Sequence, residues 1–395
     1  MKKLSKEDWG LKFLFLVVLF LYSLPLNAKP RNPFLDLDFF VGVQEVYDDN
    51  VFQVESPTDS DFVTTIGPGV NANFQPFNFL KLGANYKAEI FIYPSFSELN
   101  DILHKFDFDI GINFGKTRRF RNFRLDTEVD YTPTDISATN SSGTTINSTQ
   151  KLRLAVIPGY LWKLTPKMDL DFEARLERQW FFGELGEDNS IGELVVTLRR
   201  RLGRRIFLSL AGNGGIQKFD DLGNTFLIGG DGGIDIEFYK RLNGSVSAGY
   251  QFIDLPQDAG SNGTYTIAAD LQYLLSKRTR FSVDFNRSNT VDIRDNPYET
   301  NIANMSIEHR LSLKTLLALD LFWQYTDLVT FSIPLGGLVG DDLMSLGTKL
   351  RMQFTDHWTF SIFYSRDKNG GEDTTNDYTQ NRFGGEIEYH FPLQF

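Results

Sequence analysis

Ionisable side chains recur at every second position along several stretches of this chain. Arg124, Asp126, Glu128 and Asp130 form one series, and Asp171, Glu173, Arg175 and Glu177 form another. Shorter ones are Lys87 with Glu89, Asp107 with Asp109, Lys151 with Arg153, and Lys349 with Arg351. In an extended strand a spacing of two puts such groups on one face. Two kinds of chemistry suit them there. Opposite charges on neighbouring strands neutralise one another in a cross-strand ladder. A row of fixed charges facing water instead sets up a transverse field that favours hydrated ions and small polar solutes over apolar ones. Both readings stay open, and both need strands to hold the columns.

Other residues with chemical potential are weaker candidates. There are four histidines: His104 adjoins a predicted external loop containing Asp101, His309 and His357 lie near predicted periplasmic turns, and His390 lies in the last strand. A hydrolase needs base, orienter and nucleophile within hydrogen-bond reach, and no Ser is visibly convergent with His104 and Asp101. The acid pairs Asp48–Asp49, Asp220–Asp221 and Asp341–Asp342 offer hard oxygen ligands, but without the spaced ligand pattern of a calcium loop, so they read as solvated turns and no metal is expected. Glycine clusters at Gly212, Gly214 and Gly215 and at Gly229, Gly230, Gly232 and Gly233 are followed by neither a helix nor a Lys-Ser/Thr pair. They fit curved strands, with room beside them in a lumen, better than a phosphate cradle. No cofactor is implied.

The elements that position these groups are strands. Leu80, Leu82, Ala84, Tyr86, Ala88, Ile90 and Ile92 alternate with Lys81, Asn85, Lys87 and Glu89, and Phe106 to Phe114 repeat the pattern against Lys105, Asp107, Asp109 and Asn113. The same period of two runs through 123–133, 152–162, 170–176, 226–238, 265–275 and 344–354. At the carboxy-terminus Phe383, Gly385, Ile387, Tyr389, Phe391, Leu393 and Phe395 oppose Arg382, Glu386, Glu388, His390 and Gln394. A strand greasy on one side and charged on the other needs two solvents. Such segments number about eighteen, the length and spacing of tilted transmembrane strands of ~9–11 residues with their connections, although sixteen fit nearly as well.

Connections alternate between short basic turns, such as 165–167, 199–205 and 276–279, and longer acidic ones carrying Asp48, Asp135, Glu187, Asp188, Asp258, Asp295, Asp341, Glu372 and Asp373. Short turns belong at the periplasmic rim and long loops outside, which puts both termini in the periplasm. Trp162 and Trp358 fall beside short turns, Trp180 and Trp323 beside long loops, as expected of aromatic belts. A soluble sandwich or propeller would bury the apolar faces but leaves the heavily charged faces unexplained.

The amino-terminus reads as a secretory signal over residues 1–28. Lys2, Lys3, Lys6 and Lys12 precede or flank a short apolar core, and Ala28 offers a cleavage point, although Glu7, Asp8 and Leu26 depart from the ideal. The alternative, an uncleaved anchor, has to span with a run shorter than the ~18–20 residues usually needed. No linker divides residues 29–395, so one barrel domain is expected. The 395 residues contain no cysteine, which excludes disulfide and thiolate chemistry, and the net charge of -11 excludes nucleic acid as a partner.

Val41 to Phe52, and within it Tyr47, Asp48, Asp49 and Asn50, resembles the opening strand and first loop of the type-2 outer-membrane β-barrel porin family, often linked with exopolysaccharide systems. That resemblance implies a barrel with a porin or export role and no catalytic residues. The expectation is therefore an all-β, up-and-down antiparallel barrel in the bacterial outer membrane, not an enzyme, acting as a porin-like passive channel with mild cation preference. Lys87, Glu89, Asp107, Asp109, Arg124, Asp126, Glu128, Asp130, Lys151, Arg153, Glu173, Arg175 and Glu177 are its candidate pore-lining residues. Expected partners are outer-membrane lipid, lipopolysaccharide and the barrel assembly machinery that recognises the aromatic last strand. The alternatives are a structural or export component of a polysaccharide system, whose Ser/Thr/Asn-rich segment 135–149 contacts sugar, and a rim-located hydrolase.

Overall fold

Period-two alternation becomes eighteen antiparallel strands in the computed structural model. The structure describes residues 35–53, 58–77, 79–113, 122–138, 145–182, 188–220, 223–238, 241–254, 261–291, 297–328, 341–371 and 377–394. The proposed signal segment, residue 395 and the acidic positions 187, 221, 258, 295, 372 and 373 lie outside them. The strands are β1 (Leu35–Asp48), β2 (Asp61–Phe77), β3 (Leu80–Ile92), β4 (Asp101–Asn113), β5 (Phe123–Ala138), β6 (Thr145–Thr165), β7 (Met168–Phe182), β8 (Asn189–Arg201) and β9 (Ile206–Phe219). They continue as β10 (Gly223–Phe238), β11 (Leu242–Asp254), β12 (Ser261–Leu274), β13 (Thr279–Val291), β14 (Pro297–Arg310), β15 (Thr315–Leu328), β16 (Asp341–Gln353), β17 (Trp358–Gly371) and β18 (Tyr378–Gln394). Each pairs with its successor, and β18 pairs with β1 from Asp36–Gln394 to Asp48–Arg382, so the sheet closes on itself without an edge. Eighteen, not sixteen, is the strand number.

Side chains sort by parity. Large apolar residues stand exposed on one face, among them Phe39, Val41 and Val43 on β1, Leu208 and Leu210 on β9, Ile228 and Ile234 on β10, and Phe383, Ile387 and Phe391 on β18. Leu210 and Ile228 are 61% and 62% exposed, a level that would be costly in water and is expected against hydrocarbon. Aromatic pairs mark both ends of this jacket. Tyr47–Phe62, Tyr131–Phe182 and Tyr250–Tyr265 lie toward the long-loop rim, while Trp358–Tyr389 and Phe77–Phe79 lie at the short-turn rim. Arg178 rests 5.8 Å from the Trp180 ring and pairs with Asp220, a polar anchor at the upper boundary.

The short turns share a local device. Ser276, Ser312 and Thr355 each follow the end of a strand, and their hydroxyls accept the backbone N–H of Arg278, Lys314 and His357 at 3.1, 3.1 and 3.2 Å. A hydroxyl two residues ahead of the N–H substitutes for a backbone acceptor and tightens the reversal. The long-loop ends differ from expectation at several places, and among them Asp48 closes β1 and Glu299 lies inside β14. Asp135 lies inside β5, and Asp341 and Asp342 open β16, because these strands continue past the aromatic belt. The backbone at 135–138 and 145–149 is likewise strand, so much of the segment expected to be a sugar-contacting loop is barrel wall.

Two ladders stop short. β4 and β5 pair only from Asn113–Arg124 to Phe106–Tyr131, although both strands run on toward the rim. β12 and β13 pair only from Leu274–Arg280 to Ile267–Arg287, leaving 261–266 bonded to β11 and 288–291 bonded to β14. Pro133 supplies part of the reason at the first place, since it has no N–H to give β4.

Candidate functional site

The charged face is the concave one. Arg124 on β5 reaches Asp171 at 3.4 Å and touches Glu173, both on β7, across the whole width of β6. Lys349 on β16 reaches Glu386 on β18 at 3.0 Å across β17 in the same way. Strands two apart are separated by ~10 Å, so such contacts need side chains that converge, as they do inside a cylinder. All thirteen residues singled out from the sequence stand on this face, by the registers that place them opposite one another.

On β3 to β7 these residues form a connected network. Arg153 donates from Nε to Asp130 at 2.5 Å, from Nη2 to Glu128 at 2.9 Å and from Nη1 to Glu177 at 3.4 Å, joining β5, β6 and β7. Arg175 donates to Glu177 at 2.8 Å and lies 3.7 Å from Glu128. Glu89 lies between Lys87 at 2.9 Å and Lys105 at 2.7 Å. Asp107 faces Asp130 and Asp109 faces Glu128 across β4 and β5, where like charges repel, and Arg153 neutralises the β5 side. Asp126 stands between Arg124 and Glu128, and Lys151 lies one step nearer the rim than Arg153. Gly159 makes the Arg124 crossing sterically feasible, because a Cβ there would sit 2.5 Å from Arg124 Nε. Gly83 likewise lies under the Asp109 carboxylate.

The wall from β9 to β13 is built differently. The glycine clusters lie on β9 and β10, as expected, and no helix follows them. At inward-facing Gly229 and Gly233 a Cβ would meet Asn213 Oδ1 at 2.6 Å or Ser209 Oγ at 2.9 Å, so neighbouring side chains use the space that glycine leaves. Between these glycine-rich strands and β13 lies a recess of about 320 Å³, lined among others by Glu193, Asn213, Asp231, Gln251, Thr266 and Asn286. The sequence reading took the glycines as room in the lumen and missed these amides. Their common signal was phase: Asn213, Gln251 and Asn286 each fall on the inner parity of their strand.

The segment that carried the family resemblance has a mechanical role here. Asp48 Oδ1 accepts the backbone N–H of Asn50 at 3.0 Å and its Oδ2 accepts from Gln380 at 2.7 Å. Asn50 donates to the Thr379 carbonyl at 3.0 Å, and Asp49 accepts from both the backbone and the side chain of Asn381 at 2.6 and 2.7 Å. Tyr47 packs outward on Phe62. The motif thus bolts the first loop to β18 at the seam where the barrel closes. With their oxygens so engaged, Asp48 and Asp49 are hydrogen-bond acceptors in a turn, and among the described residues no group of three or more His, Asp or Glu is placed to hold a metal ion. His104 turns to the outer face and shares a 2.9 Å hydrogen bond with Tyr86, whereas Asp101 accepts from the backbone of Ile102.

A closed strand cylinder with an apolar jacket, two aromatic belts and an ionised interior defines the class: a transmembrane β-barrel of the outer-membrane kind. OccK2 (OpdF) of Pseudomonas aeruginosa has a similar fold, with a TM-score of 0.51 and 8% identity over 91% of this chain and 98% of that one. OccAB2 of Acinetobacter baumannii follows at 0.48, with 10% identity over 91% of this chain and 98% of that one. The outer membrane protein OprD of P. aeruginosa gives 0.46, with 10% identity over 93% and 96%. No family model matches the chain and no curated protein matches it. At such identity the likeness to OccK2 establishes the barrel fold.

Proposed function

We propose that this protein is a passive channel of the bacterial outer membrane, admitting ions and small polar solutes with a mild preference for cations. The observation that carries the reading is the ionised inner wall from β3 to β7 within an eighteen-strand cylinder, a strand number at which barrels are wide enough for an aqueous bore. Ion pairs such as Arg153–Glu128 neutralise part of the wall, and the remaining field comes from carboxylates that exceed the bases, as with Asp107 and Asp109 facing Asp130 and Glu128. The ladder and the field are therefore compatible: pairing holds the wall together and the surplus sets selectivity. A hydrolase centred on His104, the base that the sequence placed beside Asp101, is disfavoured because His104 faces away from the lumen toward Tyr86.

Reconstitution into planar bilayers tests the reading. Stepwise conductance in potassium chloride with a cation-selective reversal potential is expected. Conductance no greater than that of a detergent control ends the channel, and an anion-selective potential ends the charge assignment.

A second reading comes from the resemblance of residues 41–52 to the type-2 porin family, namely a part in moving polysaccharide across the outer membrane. The amide- and hydroxyl-lined recess between β9 and β13 is the observation that favours it.

A further inference from the structure

We propose that the recess between β9 and β13 is a subsite for an uncharged, polyhydroxylated solute about the size of one sugar ring. The inference rests on the channel reading, since such a solute reaches the recess along the lumen. Its volume of about 320 Å³ falls at the lower end of small-molecule pockets and would hold roughly ten waters, enough for a single ring with its hydroxyls.

The chemistry of the lining selects the ligand. Asn213, Gln251 and Asn286 carry amides, and Ser247, Thr266 and Ser288 carry hydroxyls. Every one of these groups both donates and accepts hydrogen bonds, which is the property of an alcohol and of no simple ion. Glu193 and Asp231 add acceptors that take paired hydroxyl donors, and they repel anions. Arg287 borders the recess but is engaged by Glu299, which also accepts from Thr264 at 3.0 Å, so that guanidinium does not convert the site into an anion trap.

Backbone geometry keeps the recess open. Gly229 and Gly233 carry no side chain of their own, and the space their Cβ would take is used by Asn213 Oδ1 and Ser209 Oγ of the neighbouring strand, which lets these short polar groups lie flat against the wall. Strands β9, β10 and β11 present no arginine or lysine of their own to the lumen, unlike the charged wall, where Arg124 and Arg153 span neighbouring strands. Asn213 is itself oriented by Glu193, to which its Nδ2 donates at 3.5 Å.

Three probes of matched size and different charge separate the possibilities: glucose, the cation glucosamine and the anion gluconate. Each is titrated against the refolded full-length barrel in detergent by saturation-transfer NMR, in parallel with potassium chloride conductance in planar bilayers. Glucose is expected to bind more tightly than either charged analogue. The double variant Asn213→Leu with Gln251→Leu is expected to weaken glucose by about tenfold or more, while Thr127→Val on the outer face leaves it unchanged. Should the double variant lose its strand signal, Asn286→Ser removes one amide with a smaller change of volume and is expected to weaken glucose in the same direction. Absence of glucose binding, glucosamine binding more tightly than glucose, or unchanged affinity in folded recess variants each overturns the subsite. A conducting barrel indifferent to glucose leaves the channel and removes the recess; a silent barrel that binds glucose in the stated pattern does the reverse.

Discussion

From β5 to β7 the interior is filled by long ionised side chains, whereas from β9 to β11 it carries glycine and shorter side chains such as Asn213, Asp231 and Gln251, on strands bare of inward arginine and lysine, and both walls use glycine to reach these opposite ends. On the charged wall Gly159 yields its space to Arg124, a flexible side chain that crosses over it. On the bare wall Gly249 yields to backbone: a Cβ there would meet Gly230 O at 2.3 Å and Asp231 Cα at 2.8 Å. The same residue type thus serves a side-chain network in one place and close strand approach in the other. Glycine content alone does not reveal which role a strand has given it; what fills the absent Cβ position does.

The largest expected effect tests the rigid half of that contrast. Gly249→Ala forces two strands apart and is expected to cost about 1–3 kcal/mol, with a clear loss of folded yield. Gly212→Ala, whose Cβ meets nothing nearer than Gly229 O at 4.0 Å, should fold like the parent. Thermal unfolding of the two in detergent decides it, and equal stability would refute backbone crowding as the reason for glycine at 249.

Next comes the centre of the charged wall. Arg153→Met leaves Asp130, Glu128 and Glu177 without their shared cation. Breaking a buried pair costs ~3–5 kcal/mol, and because Arg153 retains 23% exposure a loss of about 2 kcal/mol is expected. The reversal potential should also move toward that of an ideal cation-selective pore. A shift toward anions would contradict the surplus-carboxylate account. Gly159→Ala is milder: its new methyl displaces only the Arg124 side chain and leaves the wall's charge unchanged, so stability in the same melts should fall by less than about 1 kcal/mol and the reversal potential should stay near that of the parent.

The smallest effect lies outside both walls. Arg178 donates to Asp220 and holds its carboxyl below the usual carboxylate range. A folded-state value depressed below the unfolded one gives stability that is present above the ordinary carboxylate range and is lost as pH falls through the depressed value. Asp220 is exposed, so the melting temperatures of the parent and Asp220→Asn should differ only slightly at neutral pH and converge once the pH has fallen through the depressed value.

Much of this was legible in the residues. A period of two separates lipid-facing Ile387 and Phe391 from inward Glu386 and Glu388 whatever the register, because parity survives any even shift. Register itself was not legible, and the contacts that depend on it were invisible: Arg153 meeting Glu177, Arg124 vaulting Gly159, and Asp48 meeting Gln380 more than three hundred positions away. Acidic residues at strand ends were read as loop because Asp is a poor strand former in water. Asp135 and Asp341 instead extend the wall beyond the bilayer, where neighbouring strands satisfy the backbone. Amides carry neither charge nor grease, so Asn213 and Asn286 gave a weak signal until the sheet placed them around one hollow.

The unfinished stitching between β4 and β5 and between β12 and β13 lies eight strands apart in a ring of eighteen, nearly across a diameter. At both notches each strand end is stitched to one neighbour alone, 101–105 to β3, 132–138 to β6, 261–266 to β11 and 288–291 to β14, so the upper rim divides there into two arcs of staves.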